Sequence, residues 1–356
     1  MIFLRWAWRL AELGHEIHVV SDRFSGRPEE LEGMVGHDIR MLERLTRVRG
    51  VRRLRFGGAI SRMAASAQID LVHGHYLLPY GYWGAIARTH PLVVSPWGTD
   101  ILVDGQEAGQ NLRRAQRAIQ AADFLVINSE ASERACLAMG ADESRIERIV
   151  WYADLDRFGA EHRDPTFRTG LGWPEEALIV LSLRNFRPDT NIDVVVRAFD
   201  RILLREPRAR LVLAAQAGPL RPQIEALVDE LALQPFVAFV SALEPDLPRL
   251  VASADLLVAM TSSDSTPSSL LEAMASRLPA VCGQAASLEE WLEPDEGGIL
   301  VPPGDAEALA QAALALLADP ERRRRFGEHN ERVVRSRVSP PGPALEGVYR
   351  RLLDSQ

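Results

Sequence analysis

Short apolar runs alternate with helical patterns along the chain, and this alternation constrains the fold more than any other feature of the sequence. The runs contain few polar residues and end in polar or small ones; they include 69–73, 92–95, 124–127, 178–183 and 209–214. Strands that lack polar alternation are buried on both faces, which is typical of parallel strands connected by helices. The sequence therefore predicts the α/β class, with parallel sheets that carry helices on both faces.

Two such series of strands and helices follow one another. Residues 149–164 separate them without a long periodic pattern, and a length of 356 residues suffices for two domains. We expect a first domain over 1–155 and a second domain over 156–339. The final segment, 340–356, has the apolar spacing of a helix, and we expect it to pack back on the first domain.

Composition limits the partners that the chain can have. Its net charge of −8 and pI of about 5.6 argue against nucleic acid. All 41 basic residues are arginines, so phosphate has to be bound by arginine or by backbone N–H groups. Two widely separated cysteines indicate reduced thiols and a cytoplasmic location. The arginine-rich stretch 44–55 is either a basic surface for an anionic acceptor or for anionic lipid at the inner membrane face, or a solvated helix face.

The stretch 254–283 contains the clearest candidate for a ligand site. A buried apolar run leads through polar residues to a helix, which we expect to have Thr266 as its N-cap and Pro267 as its first residue. The N–H groups of Ser268 and Ser269 would then lie at the positive end of the helix dipole, where anions bind.

Two carboxylates flank this helix start. Asp264 lies in the loop before the helix, and Glu272 lies about a turn and a half into it. Carboxylates accept hydrogen bonds from hydroxyl groups, and the helix start favours phosphate. A ligand with both kinds of group, such as a nucleotide sugar, therefore fits the stretch.

Polar residues also follow the strands of the first domain. His75 comes after one predicted strand, Trp97, Gly98 and Asp100 come after the next, and Ser129 follows a third as the expected cap of a helix. The carboxyl ends of parallel strands meet at one edge of a sheet, where ligands of such folds bind. We therefore expect a second binding surface at this edge.

Several stretches resemble the GT-B glycosyltransferases of retaining family 4. They are ADLLVAMTSSDSTPSSLLEAMASRLPAV, GGILVPPGDAEALAQAALALLADPERR, ADFLVINSEASERACLAMG, and VHGHYLLPYGYWGAIA followed by PLVVSPWGTDIL. The resemblance implies two Rossmann-like domains that face a cleft. It also implies a metal-independent transferase that moves a sugar, with retention, from a nucleotide diphosphate sugar in the second domain to an acceptor in the first. The acceptor would be a glycan, a lipid or a small molecule.

The resemblance also assigns roles to individual residues. Asp264 and Glu272 occupy the positions of the paired acidic motif, for donor-sugar hydroxyls and ribose respectively, and Arg184 occupies that of the phosphate-binding arginine. The remaining donor-phosphate residues would be Thr266, Ser268 and Ser269. His75 would be catalytic, and Trp97, Gly98 and Asp100 would face the acceptor.

This chain departs from the family pattern at several places, among them Asp264, where glutamate is more usual, and the glycine-rich part of the acidic loop, which is Ser265-Thr266-Pro267 here. Thr190 occupies the position of the phosphate-binding lysine, for which Arg187 of the same loop is a possible substitute, and Trp97 replaces a histidine. The family begins with a strand and a glycine-containing loop before the helix that 3–13 matches. The resemblance therefore predicts a missing central strand, unpaired sheet edges, and a start assigned about 15 residues too late.

Two other functions stay open on the sequence. An epimerase would act on the same nucleotide sugar, but it needs further carboxylates and a histidine near the sugar. A GT-B scaffold without catalysis is favoured by the missing strand, Thr190 and Trp97, and opposed by Arg184, Asp264 and Glu272. Binding of a sugar nucleotide distinguishes the enzyme from the scaffold.

Overall fold

The structure is a computed structural model that describes residues 2–21, 34–38, 52–150, 155–215, 218–241, 246–262, 266–338 and 341–355. The chain divides into two compact units, one made of 1–151 with 339–356 and the other of 152–338. None of the helices in the described ranges combines the length and the apolar character needed to cross a lipid bilayer.

The first unit is built from parallel strands and the helices between them. Its strands are β1 (His18–Ser21), β2 (Val35–Asp38), β3 (Val72–His75), β4 (Leu92–Ser95), β5 (Phe124–Ile127) and β6 (Ile146–Arg148). Its helices are α1 (Ile2–Glu12), α2 (Arg52–Ser66), α3 (Tyr82–Ala87), α4 (Thr99–Leu102), α5 (Gln110–Ala121) and α6 (Glu130–Ala138), and the chain returns to it at its end with α15 (Pro341–Asp354). Among the described residues these strands form two sheets, β1–β2 and β3–β4–β5–β6, rather than one.

The two sheets of the first unit border a common cavity of about 530 Å³. Consecutive residues of both strands line it, 17–21 around β1 and 69–76 around β3. Since successive side chains of a strand point to opposite faces, such continuous lining means that each strand meets the cavity edge-on. Within the described ranges no strand joins the sheet of β1 to that of β3.

The second unit has one six-stranded parallel sheet. Its strands are β7 (Leu178–Ser182), β8 (Ala209–Ala215), β9 (Val237–Ser241), β10 (Leu256–Ala259), β11 (Ala280–Gly283) and β12 (Gly298–Val301). Its helices are α7 (Phe167–Gly170), α8 (Ile192–Leu203), α9 (Arg221–Glu230), α10 (Leu247–Ser253), α11 (Ser268–Ala275), α12 (Ala286–Glu289), α13 (Ala306–Leu317) and α14 (Pro320–Arg337). The spatial order of the strands is β12-β11-β10-β7-β8-β9.

The chain reverses its direction across this sheet between β7 and β10. It runs outward from β7 through β8 to β9, and then returns to place β10 on the other side of β7, with Leu256 opposite Val180. All four residues of β10 are buried, as expected for a strand covered on both faces. The connections that leave β7 and β10 diverge, and such a switch point opens a crevice at the carboxyl ends of the strands.

Some local expectations need correction. Helix α11 begins at Ser268, and Pro267 is its N-cap with a ψ of 96°, so Thr266 lies one residue outside the cap. The strands β2 and β6 were not predicted, because neither contains a continuous apolar run. Of the arginine-rich stretch 44–55, residues 44–51 lie outside the described residues, as do the side chains of 52–55. The lipid contact proposed for this stretch stays a prediction, as does the cytoplasmic location.

Candidate functional site

The predicted phosphate-binding residues lie at the switch point of the second unit. Arg184 follows β7 by two residues, and the start of α11 follows β10, the strand paired with β7. Both segments therefore leave the same edge of the sheet at neighbouring positions. The sequence pattern predicts that each of the two segments follows a strand. Only the structure shows that these two strands are paired.

Hydrogen bonds tie the two connections together. The Asn191 Nδ2 atom donates to the carbonyl oxygen of Met260 at 2.8 Å. The backbone N–H and the hydroxyl of Ser262 both donate to the carbonyl oxygen of Asp189, at 3.0 and 3.2 Å. The segment that contains Arg184 and the segment that leads to α11 are thus held together by hydrogen bonds within the protein.

Thr190 closes the loop that begins with Arg184. Its side chain is buried, and its hydroxyl lies 2.8 Å from the carbonyl oxygens of both Asn185 and Arg187 and accepts the N–H of Arg187 at 3.3 Å. The exposed guanidinium of Arg187 donates to Asp189 at 2.9 Å. Thr190, which occupies the position of the family's lysine, therefore stabilises the conformation of the loop. Arg187, the proposed substitute for that lysine, is paired with the carboxylate of Asp189 in the same loop.

The charge of Arg184 acts at β11, which lies two strands away from β7 in the sheet. Burial raises the pKa of the Cys282 thiol in β11 to about 12, and the positive charge of Arg184 opposes this rise. Two buried hydroxyls, Ser182 at the end of β7 and Thr261 after β10, have no hydrogen-bond partner within the described part of the protein. Because a buried hydroxyl without a partner is destabilising, this edge is suited to a polar ligand.

The start of α11 offers both backbone donors and a carboxylate. Ser268 and Ser269 are its first two residues and are half-buried, and the first N–H groups of a helix have no acceptor within the helix. Glu272 is buried in the next turn, four residues after Ser268 and hence on the same face. Asp264 lies outside the described residues, so its proposed contact with the donor sugar stays a prediction.

The first unit places His75 in a cluster of aromatic side chains. The rings of His73 and His75 stack with centroids 4.0 Å apart, and the Trp97 ring lies 6.0 Å from His75. The two nitrogens of His73 lie 2.5 Å from the Tyr349 hydroxyl and 2.6 Å from the Ser95 hydroxyl. His73 and His75 are two residues apart in β3, so their side chains lie on one face of the strand, but no pattern in the sequence indicates that Tyr349 reaches His73 from α15.

Both imidazoles are neutral at neutral pH. Burial lowers the pKa of His75 to about 3, and burial followed by the charge of His75 lowers the pKa of His73. A group with so low a pKa is a weak proton acceptor, since general bases work best with a pKa near the working pH. His75 is therefore suited to hydrogen bonding with a substrate, and its proposed catalytic role stays a prediction.

The carboxylate of Asp100 forms hydrogen bonds with backbone groups and does not line the cavity. Its carboxylate is fully buried and accepts hydrogen bonds from the N–H groups of Trp97 and Gly98, both at 2.8 Å, and of Leu77, at 2.5 Å. Burial raises the pKa of Asp100 to about 6, although these three N–H groups oppose the rise. The predicted contact of Asp100 with an acceptor has no support in this geometry, whereas Trp97 lies next to His75 as expected.

Three side chains that could ligate a metal lie elsewhere in the second unit. Ligand atoms of Glu293, Glu296 and His329 lie within 4.8 Å of one another. Each ring nitrogen of His329 faces one of the carboxylates, at 3.2 and 3.4 Å. The two glutamates precede β12, at the edge of the sheet opposite to Arg184, so this cluster takes no part in the candidate site.

Two α/β units with parallel sheets, the second of which has a polar crevice at its switch point, are the features of the GT-B class of glycosyltransferases. Residues 164–333 match the family model described as glycosyl transferases group 1, and residues 2–157 match that of glycosyltransferase family 4. The chain is 30% identical over 306 residues to a D-inositol 3-phosphate glycosyltransferase 2 from Catenulispora acidiphila, covering 80% of this chain and 71% of the relative. The chain belongs to the group 1, family 4 glycosyltransferases.

A second relative and a solved structure agree with this assignment. The chain is 26% identical over 330 residues to an N-acetyl-alpha-D-glucosaminyl L-malate synthase from Bacillus anthracis, covering 90% of this chain and 84% of the relative. Its fold is similar to that of a sucrose-phosphate synthase from Thermosynechococcus elongatus, with a TM-score of 0.83 at 22% identity over 99% and 92% of the two chains. The protein is a glycosyltransferase.

Proposed function

We propose that the second unit binds a nucleotide diphosphate sugar and that the first unit binds a small hydroxylated anion, to which the sugar is transferred with retention and without a metal ion. The two relatives support the kind of acceptor, because both are named for such molecules, inositol 3-phosphate and L-malate. Retention rests on the resemblance to family 4.

The observation that supports the donor site is that Arg184 and the start of α11 follow two paired strands, β7 and β10, at the switch point of the sheet. A guanidinium stays charged and binds two phosphate oxygens at once. The N–H groups of Ser268 and Ser269 add donors at the positive end of a helix dipole. Together they stabilise the negative charge that develops on the leaving diphosphate, which is the task that a divalent metal performs in metal-dependent transferases.

The acceptor surface rests on the side chains around His75. Neutral imidazoles donate and accept hydrogen bonds with hydroxyl groups, and an indole such as that of Trp97 offers an apolar face to the ring or chain that carries them. Both side chains line the cavity of the first unit. This surface is suited to a small polyhydroxylated molecule.

Calorimetric titration with UDP-glucose, UDP-N-acetylglucosamine and GDP-mannose tests the donor site. We expect Arg184→Ala to weaken binding about 10- to 100-fold, which corresponds to about 1.5–3 kcal/mol for a hydrogen bond to a charged group. Arg187→Ala is the matched control, and we expect a change of less than about threefold, because Asp189 already holds that side chain. Equal effects of the two variants would contradict the assignment of Arg184.

Turnover of the same donors with D-inositol 3-phosphate and L-malate tests the rest of the proposal. We expect product in which the anomeric configuration of the donor is kept, at a rate that EDTA does not change. Loss of turnover with EDTA would refute metal independence. Binding without any turnover would favour the scaffold, and conversion of the donor without an acceptor would favour the epimerase.

A further inference from the structure

We infer that Asp100 is a positioning residue: its carboxylate holds the loops after β3 and β4 together, so that Tyr76 and Trp97 form one wall of the acceptor surface. The inference rests on the proposed function only in taking this wall to meet the acceptor. The positions of the loops themselves follow from contacts within the first unit.

The two oxygens of Asp100 bind two different loops. Oδ2 accepts the N–H of Leu77, in the loop that follows β3. Oδ1 accepts the N–H groups of Trp97 and Gly98, in the loop that follows β4. Since β3 and β4 are neighbours in the sheet, one buried carboxylate fixes the distance between the two connections that leave their carboxyl ends.

The hydrogen bonds to Asp100 occur where the backbone needs support. Tyr76, which precedes Leu77, has a φ of 80°, and Gly98 has a φ of 137°. A residue other than glycine in this region costs about 1–3 kcal/mol and persists only where its surroundings enforce it. The loop after β3 is held further by two backbone hydrogen bonds, from Tyr76 N–H to Ser95 at 3.0 Å and from Gly81 N–H to Tyr76 at 2.8 Å.

Each of the two bound loops contributes one aromatic ring. The centroids of the Tyr76 and Trp97 rings are 5.7 Å apart, and the Trp97 ring also lies against His75. Both rings are half-buried and line the cavity of the first unit. A shift of one loop relative to the other would therefore separate the two rings and change the shape of the surface beside His75.

A carboxylate has the two acceptor oxygens that the two loops require. An amide in its place has a single acceptor oxygen, and its NH₂ group would face a backbone N–H, so Asp100→Asn keeps the size of the side chain and loses the hold on one loop. Asp123 offers a matched control in the same sheet. It accepts the N–H of Leu92 at 2.7 Å, but at the amino end of β4, away from the two aromatic rings.

Hydrogen exchange tests the positions of the loops without reference to activity. In the wild-type protein we expect slow exchange at the amides of Leu77, Trp97 and Gly98. In Asp100→Asn we expect faster exchange at Leu77 or at the Trp97–Gly98 pair, together with a changed near-ultraviolet circular dichroism of the aromatic rings. Fast exchange in the wild type, or unchanged exchange in a folded variant, would overturn the inference. If the variant does not fold, the wild-type exchange rates decide.

Kinetics with D-inositol 3-phosphate and L-malate test the consequence for the acceptor. We expect Asp100→Asn to lower the acceptor kcat/KM about 10- to 100-fold, mainly through KM, while the Kd of the donor stays within about twofold. Asp123→Asn should leave the acceptor KM unchanged. An unchanged acceptor KM in a variant with loosened loops would refute the link to the acceptor. Absence of donor binding in the wild type would instead refute the proposed function, while the exchange data still decide whether Asp100 holds the loops.

Discussion

Replacement of Arg168 should destabilise the second unit far more than replacement of Arg163, although both guanidinium groups contact the carboxylate of Asp255. Arg168 is 6% exposed and donates to Asp255 at 2.6 Å and to the carbonyl oxygen of Ala177 at 2.7 Å. Arg163 is 51% exposed and lies 3.2 Å from the other oxygen of Asp255. The carboxylate also accepts the N–H of Ile179 at 2.8 Å.

The difference in burial sets the size of the two effects. Removal of one member of a buried ion pair leaves an uncompensated charge and costs about 3–5 kcal/mol, whereas an exposed partner contributes less than about 1 kcal/mol. The second unit, 152–338, is in the size range in which 1 kcal/mol shifts Tm by about 2–4 °C. We therefore expect Tm to fall by about 6–20 °C for Arg168→Met and by at most about 4 °C for Arg163→Met.

Urea unfolding and scanning calorimetry of the two variants measure these losses. Methionine keeps the apolar part of each side chain, so the comparison isolates the charged group. Donor binding at 25 °C should be unchanged in both, because Asp255 precedes β10 and lies at the edge of the sheet opposite to Arg184. Equal losses in the two variants, or a loss below about 1 kcal/mol for Arg168→Met, would show that the carboxylate is stable without its buried partner.

Two further predictions concern the imidazoles and the loop after β7. When the pH falls from 7.5 to 5.5, the free energy of unfolding should decrease by about 2 kcal/mol. Burial lowers the pKa of His73 and His75 in the folded protein, whereas both imidazoles take up a proton in the unfolded chain. The raised pKa of Asp100 offsets part of this loss. Urea unfolding at the two pH values measures it, and a flat profile would contradict the burial of the imidazoles. Thr190→Val should lower the free energy of unfolding by about 1–3 kcal/mol and weaken the binding of UDP-glucose, because the hydrogen bonds of the hydroxyl are lost. Thr190→Ser keeps the hydroxyl and should lower the free energy of unfolding by less than half as much. Equal losses for the two variants would mean that the hydroxyl does not close the loop.

The sequence predicted those parts of the fold that depend on local patterns. The bounds of β4, β5 and β12 match the apolar runs of the sequence. The strands β4 and β5 lie inside their sheet, where burial on both faces favours continuous apolar runs. The cap of α6 was also predicted: Ser129 accepts the N–H of Ser132 at 3.1 Å. Placement of polar residues at strand ends followed from the same patterns, which is why Arg184 and the serines of α11 could be assigned to one edge of a sheet.

Contacts between distant segments could not be predicted in this way. Periodicity shows which face of a helix is buried but not what it packs against, so the hydrogen bond from α15 to His73 through Tyr349 left no signal. The family pattern assigns Asp100 to the acceptor surface, and it places Thr190 where the family has a phosphate-binding lysine. Their actual partners are backbone groups of the surrounding loops, and a single sequence does not show which backbone groups a buried side chain will meet.

The cavity between β1 and β3 has a consequence for how the first unit comes apart. Backbone hydrogen bonds join β1 to β2 and β3 to β4, but across the cavity the described residues are joined by side chains of helices such as α1 and α15. Regions held mainly by side-chain packing open at lower free energy than a continuous hydrogen-bonded sheet. We therefore expect the β1–β2 pair to separate at a lower free energy than the strands β3 to β6, so the two halves of this unit need not share one melting transition.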